Sequence, residues 1–392
     1  GRDTLVLMPT GGGKSIIYQL PTLVGDGLCI VVTPLIALMK DQVANLRSRN
    51  IKAAAIYSGM KHADVITTLE NCLFGDYKFL YVSPERLTSE IFLKKIRKIE
   101  VTLITVDEAH CISQWGHDFR PAYRRIATLR ERCPEASVIA LTASATEAVA
   151  DDIVESLHFD QKRLFRGDFS RKNLGYAIRH TEDKNGQLLR IIQNVEGSGI
   201  VYVRTREATE EIAEMLCGEG ITAAAYHGGL PHTERALRQE EWMSGKARVM
   251  VATNAFGMGI DKPDVRMVIH HDLPDTIEAY FQEAGRAGRD EQKAFAVLLY
   301  DPTTDKAKAR KRVADNYPEP DFVSNVYHKT CNYLGVGADS GQGATFFLNV
   351  YDLCAKMHLP VIPTYSALHM LSQMGYFSFE EDQEIQPRVL LR

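Results

Sequence analysis

The sequence predicts an α/β protein: two tandem, doubly wound parallel-sheet lobes followed by a small, mainly helical C-terminal region. Three observations carry that expectation. At 392 residues the chain is longer than one hydrophobic core ordinarily organises. Short, near-continuous apolar runs alternate with helical patterns as far as Tyr300. The runs form two series, separated by a polar stretch.

The first series is Thr4–Met8, Leu28–Thr33, Phe79–Ser83, Val101–Val106 and Val138–Thr142. Apolar runs of this length suit parallel strands buried on both faces. The segments between them are long enough for crossover helices. The second series is Gly199–Val203, Thr222–Tyr226, Val249–Ala252, Met267–His270 and Ala294–Tyr300. Between the series, Asp160–Asn173 is polar and charged without an apolar period, and is expected to link the lobes. After Asp301–Pro302 the alternation stops, and Pro318, Pro320, Pro360 and Pro363 punctuate helices and short irregular elements. The expected domains are therefore 1–165, 166–302 and 303–392.

Composition is ordinary for a soluble globular protein, 45% hydrophobic and 24% charged. No apolar run approaches the roughly 18 residues needed to cross a bilayer, and no signal peptide opens the chain. A soluble, intracellular protein with no membrane partner is expected. The chain opens at Gly1, close to its first motif, as a segment of a longer protein would. The net charge of -4, from 46 Lys+Arg against 50 Asp+Glu, gives no bulk sign of a nucleic-acid partner. Such a partner would need a local basic track. One candidate is Lys306, Lys308, Arg310, Lys311 and Arg312, although a solvated helix face is the reading favoured there. The seven cysteines are odd in number and scattered, with no CxxC pair. Reduced thiols are expected, and no zinc.

The run Thr4–Met8 leads directly into Pro9-Thr10-Gly11-Gly12-Gly13-Lys14-Ser15, and a helical pattern starts at Ile16. Three glycines let successive backbone N–H groups curl around a phosphate without Cβ clashes. The following helix turns its N-terminal dipole to the same anion. Lys14 would reach the β- and γ-phosphates and the Ser15 hydroxyl would ligate Mg²⁺. Met8 stands where the usual phosphate-loop pattern has its first glycine. Strand, loop and helix in that order support the assignment nonetheless.

Asp107-Glu108-Ala109-His110 follows the buried-strand run Val101–Val106. Open α/β sheets bind ligands at the carboxyl ends of their strands. Asp107 would hold Mg²⁺ and Glu108 would polarise the attacking water. Capping of the next helix is the plainer alternative for two adjacent carboxylates.

In the second half, Tyr280–Asp290 is the most informative stretch. If it is helical, Gln282, Arg286 and Arg289 share one face by their four- and three-residue spacing. Two cations on one face repel unless an anion meets them, and Gly285 and Gly288 weaken a helix by roughly 1 kcal/mol each. A triphosphate approaching from the opposite lobe answers both points, with Arg289 as an arginine finger and Arg286 beside it. The alternative is a surface salt bridge from Arg286 to Asp290.

Taken in order, these motifs resemble superfamily 2 helicases, and specifically the RecQ family, over about three quarters of the chain. Thr33-Pro34 through Gln42 and Val82–Arg86 resemble its DNA-backbone segments, and Thr142–Thr146 its coupling motif. Tyr226–Leu230, Ala252–Lys262 and the arginine stretch complete the second lobe. Cys111–Tyr123 resembles the aromatic-rich loop that the family places after its acidic box. There Trp115, Phe119 and Arg120 offer π-faces and a cation to unpaired bases, worth about 1–3 kcal/mol per base. The resemblance assigns catalysis to Lys14, Asp107, Glu108, His110, Gln282, Arg286 and Arg289. It assigns nucleotide binding to Thr10, Gly11, Gly12, Gly13, Lys14, Ser15, Gly259 and Asp261, with Ser15 and Asp107 on the metal. DNA contacts fall to Thr33, Pro34, Arg86, Trp115, Phe119, Arg120, Thr253 and Asn254.

The resemblance thus implies RecA-like lobes, ATP and Mg²⁺, and 3′-to-5′ translocation on single-stranded DNA. It further implies unwinding of forked DNA in repair or recombination. A monomer is expected, and a compact chain with no nuclear-targeting stretch points to a bacterial, nucleoid-associated, cytoplasmic setting. A translocating ATPase that does not unwind, and a non-catalytic DNA-binding or annealing scaffold, are the alternatives. The sequence departs from the family in three places. Its adenine-reading glutamine segment is not in the sequence, and its four zinc-binding cysteines are absent, with only Cys331 and Cys354 beyond the second lobe. From Thr303 the match is weak. A winged-helix-like element including Thr364–Phe379 is one reading of that tail; an ordinary core helix at Tyr365–Leu371 is the favoured one.

Overall fold

The computed structural model describes residues 1–9, 11–113, 119–257, 260, 262–337, 340–380 and 388–391. The chain divides into two compact units, Gly1–Tyr300 and Asp301–Arg392. No helix among the described residues is long and apolar enough to cross a membrane.

The first unit holds both predicted sheets. Its first lobe runs β1 (Thr4–Leu7), α1 (Lys14–Val24), β2 (Leu28–Val32), α2 (Ile36–Ser48), β3 (Ala53–Ile56), α3 (His62–Phe74) and β4 (Phe79–Val82). It continues α4 (Glu90–Ile96), β5 (Val101–Val106), α5 (Ile126–Arg132), β6 (Ser137–Thr142), α6 (Glu147–Ser156) and β7 (Leu164–Arg166). The strands pair in parallel in the order β3-β4-β2-β5-β6-β1-β7. Residues of β2, β4 and β5 are almost wholly buried because helices cover both faces. The polar stretch at 160–173 is not strand-free: β7 lies within it and pairs with β1 as an edge strand. Its pattern escapes an apolar count because only Leu164 and Phe165 are apolar, between Lys162-Arg163 and Arg166.

The second lobe runs β8 (Leu174–His180), α7 (Lys184–Asn194), β9 (Ser198–Tyr202), α8 (Arg206–Gly218), β10 (Ala223–Tyr226) and α9 (His232–Met243). It ends with β11 (Val249–Ala252), β12 (Val265–His270), α10 (Ile277–Ala284) and β13 (Ala294–Tyr300). Its order is β10-β11-β9-β12-β13-β8, again parallel. Trp242 is fully buried beneath this sheet and donates its indole N–H to the Gly199 carbonyl at 3.1 Å.

The arginine stretch is not one helix. Thr276 caps α10 by accepting from Ala279 N–H at 3.0 Å, and the helix stops at Ala284. Gly288 then takes a φ of 61°, and a Cβ there would meet Asn173 at 2.6 Å. The shared helical face expected for Gln282, Arg286 and Arg289 therefore does not form. Nor does the Arg286–Asp290 salt bridge: Asp290 instead pairs with Arg266 at 2.5 Å.

The second unit comprises α11 (Asp305–Asn316), α12 (Pro320–Leu334), β14 (Thr345–Phe347), α13 (Val350–Met357), α14 (Val361–Gln373), β15 (Phe377–Glu380) and β16 (Arg388–Leu391). Its three strands are antiparallel, with β16 central. Val326, Leu353, Leu368, Leu371 and Phe377 form its core. From α12 onward the elements follow the order of a winged helix, and the helix expected at Tyr365–Leu371 lies inside α14.

Candidate active site

The site is built at the carboxyl ends of β1, β2 and β5, where the chain leaves the sheet and backbone groups turn towards solvent. After β1, Gly11 and Gly13 take φ of 80° and 78°, and α1 begins at Lys14. After β5 the chain turns abruptly. Glu108 adopts φ 48°, ψ 48° and opens a short 3₁₀ turn over Ala109–Ile112. That backbone aims the Glu108 carboxylate in two directions. One oxygen lies 3.7 Å from Lys14 Nζ and the other 3.4 Å from His110 Nδ1. His110 is fully buried, and its Nδ1 also lies 2.8 Å from Thr142 Oγ1 at the end of β6. Glu108 is thereby connected through His110 to the segment that resembles a coupling motif.

Asp107 receives the Glu108 N–H at 3.0 Å, and its carbonyl accepts from the Tyr123 hydroxyl, also at 3.0 Å. Burial, and then the neighbouring Glu108 carboxylate, push the Asp107 carboxyl up to about 6, against the opposing pull of Lys14. Two carboxylates facing one lysine leave this corner short of positive charge.

A cleft of ≈ 340 Å³ opens over these residues. From the first lobe it is lined by Gly11, Gly13, Lys14, Ser15, Thr33, Asp107 and Glu108, all assigned from the sequence. From the second lobe Arg289 enters, with Ile260 and Pro263. Arg289 lies close enough to the phosphate loop that a Cβ on Gly11 would stand 3.3 Å from its Cγ. Its Nη1 donates to the Ile260 carbonyl at 2.6 Å. The structure thus brings a lysine and an arginine from different lobes to one cavity.

Other expected residues stand elsewhere. Arg286 is 4% exposed, and its Nη1 donates to the Gly257 carbonyl. Gln282 and Gly12 do not line the cleft. Arg86 directs Nε and Nη2 to the carbonyls of Tyr57 and Met60, each at 2.9 Å, and so ties down the loop after β3. Arg120 reaches the Pro34 carbonyl at 3.5 Å, and Arg124 stands 5.4 Å over the Phe119 ring. Thr253 is buried and Asn254 exposed, the latter beside a small cavity with Arg204 and His270. Thr10, Trp115, Gly259 and Asp261 lie outside the described residues.

Sequence reasoning missed Tyr18, Tyr81 and Gln42, which also line the cleft. The hydroxyls of Tyr18 and Tyr81 lie 3.0 Å apart. Burial raises both phenols, so they remain neutral donors at the floor of the cavity. Tyr18 stands on α1 one turn beyond Lys14 and Gln42 lies in the segment read as a DNA contact, whereas Tyr81 reaches the site only through the adjacency of β4 and β2.

Comparisons with known proteins agree with this geometry. The DEAD/DEAH box helicase profile matches residues 1–153 and the helicase conserved C-terminal domain matches residues 183–291. The chain is 46% identical over 303 residues to an ATP-dependent DNA helicase RecQ of Bacillus subtilis, covering 77% of this chain and 51% of that protein. It is 42% identical over 307 residues to a probable ATP-dependent DNA helicase RecS of the same organism, covering 77% and 62%. The chain thus spans about half the length of several curated relatives it matches. Among solved structures, the helicase MrfA bound to DNA superposes with a TM-score of 0.65 at 18% identity, over 100% of this chain and 58% of that one. The Mycobacterium smegmatis helicase Lhr bound to single-stranded DNA and AMP-PNP gives 0.62 at 20% identity, over 100% and 57%. At such identities the superpositions speak for the fold alone, whereas the sequence matches speak for kinship. Two RecA-like lobes, the ordered motifs and these matches together place the chain in the RecQ family of superfamily 2 helicases.

Proposed function

We propose that this chain is the motor of an ATP-dependent DNA helicase, hydrolysing ATP between its lobes to move along single-stranded DNA and part a duplex. One observation carries the proposal: Lys14 and Glu108 from the first lobe share a cavity with Arg289 from the second, and Arg289 packs against Gly11. In that arrangement Gly11 and Gly13 admit a phosphate to the backbone N–H groups, and Lys14 neutralises it. Glu108 orients the attacking water, and its contact with His110 fixes the carboxylate. Arg289 meets the charge that builds on the transferred phosphoryl oxygens.

A divalent cation fits the donor set, because Ser15 and Asp107 offer hard oxygen ligands side by side in the cleft. These two residues would hold Mg²⁺, which supplies charge neutralisation at the phosphates. Movement 3′ to 5′, action on forked DNA and a role in repair or recombination are the finer terms of the proposal. They rest on the motif resemblance.

The test is ATP turnover against single-stranded DNA concentration, with fluorescent duplex unwinding measured in parallel. Turnover should rise steeply with DNA, the stimulation should weaken with salt, and Lys14→Ala should abolish it with the fold retained. Undiminished turnover by Lys14→Ala would overturn the assignment. Stimulated turnover without strand separation would mark a translocase that does not unwind.

A further inference from the structure

In a winged-helix order the second helix of the helix-turn-helix pair, here α14, holds the position that carries base contacts. Yet α14 contains no lysine or arginine. The sequence joining β15 to β16 supplies Glu381, Asp382 and Glu384 and no cation. Elsewhere in the unit, Lys329 donates to the Met357 carbonyl at 2.7 Å and Lys356 pairs with Asp352 at 2.9 Å. The parts of the unit expected to meet a polyanion are therefore neutral or acidic.

Positive charge is gathered on α11 instead. The helix packs on α14, with Asp305 buried and Ala309 and Arg312 half-buried. Lys306, Lys308, Arg310 and Lys311 are exposed, and no described ion pair engages any of them. Ala307, also exposed, lies between Lys306 and Lys308 and leaves room for close approach. The arrangement opposes itself. Lys306 with Arg310 and Lys308 with Lys311 are like charges four and three residues apart, neighbours on the helix surface that destabilise it. Lys306 and Lys308 also sit in the first turn, where the helix dipole disfavours cations. An ordered array of anions on the exposed face relieves both effects.

We infer that the exposed face of α11 is a docking surface for the sugar-phosphate backbone of duplex DNA, bound without regard to sequence. The inference rests on the reading of the chain as a DNA motor. Duplex is the form favoured, because no aromatic ring lies between Lys306 and Arg312. Surfaces that hold single strands combine cations with stacking rings, whereas backbone contacts to duplex need cations alone.

The test is fluorescence anisotropy of the full chain with a blunt duplex, and separately with a single strand, from about 50 to 200 mM salt. One variant carries Lys306→Gln, Lys308→Gln, Arg310→Gln and Lys311→Gln. A second interchanges lysine and arginine at the same four positions and keeps the charge. For the glutamine variant, duplex affinity should fall at least tenfold and the slope of log K against log salt should flatten by about 3 to 4. The charge-keeping variant should bind duplex as the parent does, and single-strand stimulation of ATP turnover should persist in both. Unchanged duplex affinity and slope in the glutamine variant, or equal losses for duplex and single strand, would overturn the inference. So would failure of the parent chain to bind duplex. A parent chain that binds duplex but shows no stimulated turnover would instead count against the motor, leaving the α11 surface standing.

Discussion

Glu108 shows how one residue's backbone can set a site. Its left-handed conformation costs a non-glycine residue about 1–2 kcal/mol, and here it turns the carboxylate between Lys14 and His110. Glu108→Gln keeps the shape and removes the proposed base. Turnover should drop by about 10²–10⁴-fold while a fluorescent ATP analogue still binds; parent-like turnover would remove Glu108 from the chemistry. The sequence made Lys14, Asp107 and Glu108 legible because each stands beside its strand at a fixed spacing. His110 was legible as a motif letter, but its contact with Thr142 was not, since the two are brought together only by the adjacency of β5 and β6. Arg286 parts from Arg289 for a local reason. Gly285 and Gly288 end the helix, turning Arg286 inwards to the Gly257 carbonyl and Arg289 outwards to the cleft.

Among the elements, α10 depends on a buried pair. His270 on β12 lies 2.8 Å from Glu283 on α10 and stacks on Tyr202, with centroids 5.4 Å apart. Glu283→Ala would strand a buried imidazole nitrogen and should destabilise the first unit by about 1–3 kcal/mol in urea unfolding. Glu283→Gln, which can still hydrogen-bond, should lose less; equal stability of all three proteins would contradict the role. At α11 the anchor is Asp301, which accepts from Thr303 Oγ1 at 2.5 Å and Thr304 Oγ1 at 2.7 Å. These bonds hold its carboxyl down at about 2. Because the folded value lies below the unfolded one, the stabilisation is present above pH about 4 and disappears as pH falls towards 2. The gap in denaturation midpoint between the parent and Asp301→Asn should close over that window; a gap independent of pH would refute the linkage. Most of the strands legible in the sequence are buried on both faces, the edge strand β10 being an exception. The remaining strands were missed for physical reasons. β3 is three alanines and an isoleucine, with little strand preference, while β7 and β8 are edge strands whose exposed side chains break the apolar run.

For the molecule as a whole, two lobes of like construction share the first unit, and each supplies part of the lining of the proposed nucleotide cleft. In the proposed reaction Lys14 and Glu108 bind and orient, and Arg289 is the one cation that the second lobe adds to the described lining of the cleft. Coupling of hydrolysis to movement follows if turnover requires both lobes at once. Single-turnover ATP hydrolysis by Arg289→Ala, measured with saturating single-stranded DNA beside an ATP-analogue titration, tests this most directly. The two-lobed site predicts a rate lower by about 10³–10⁵-fold with analogue affinity changed by less than about tenfold. Hydrolysis at the parent rate would show that the second lobe contributes no charge to the reaction and would contradict the account.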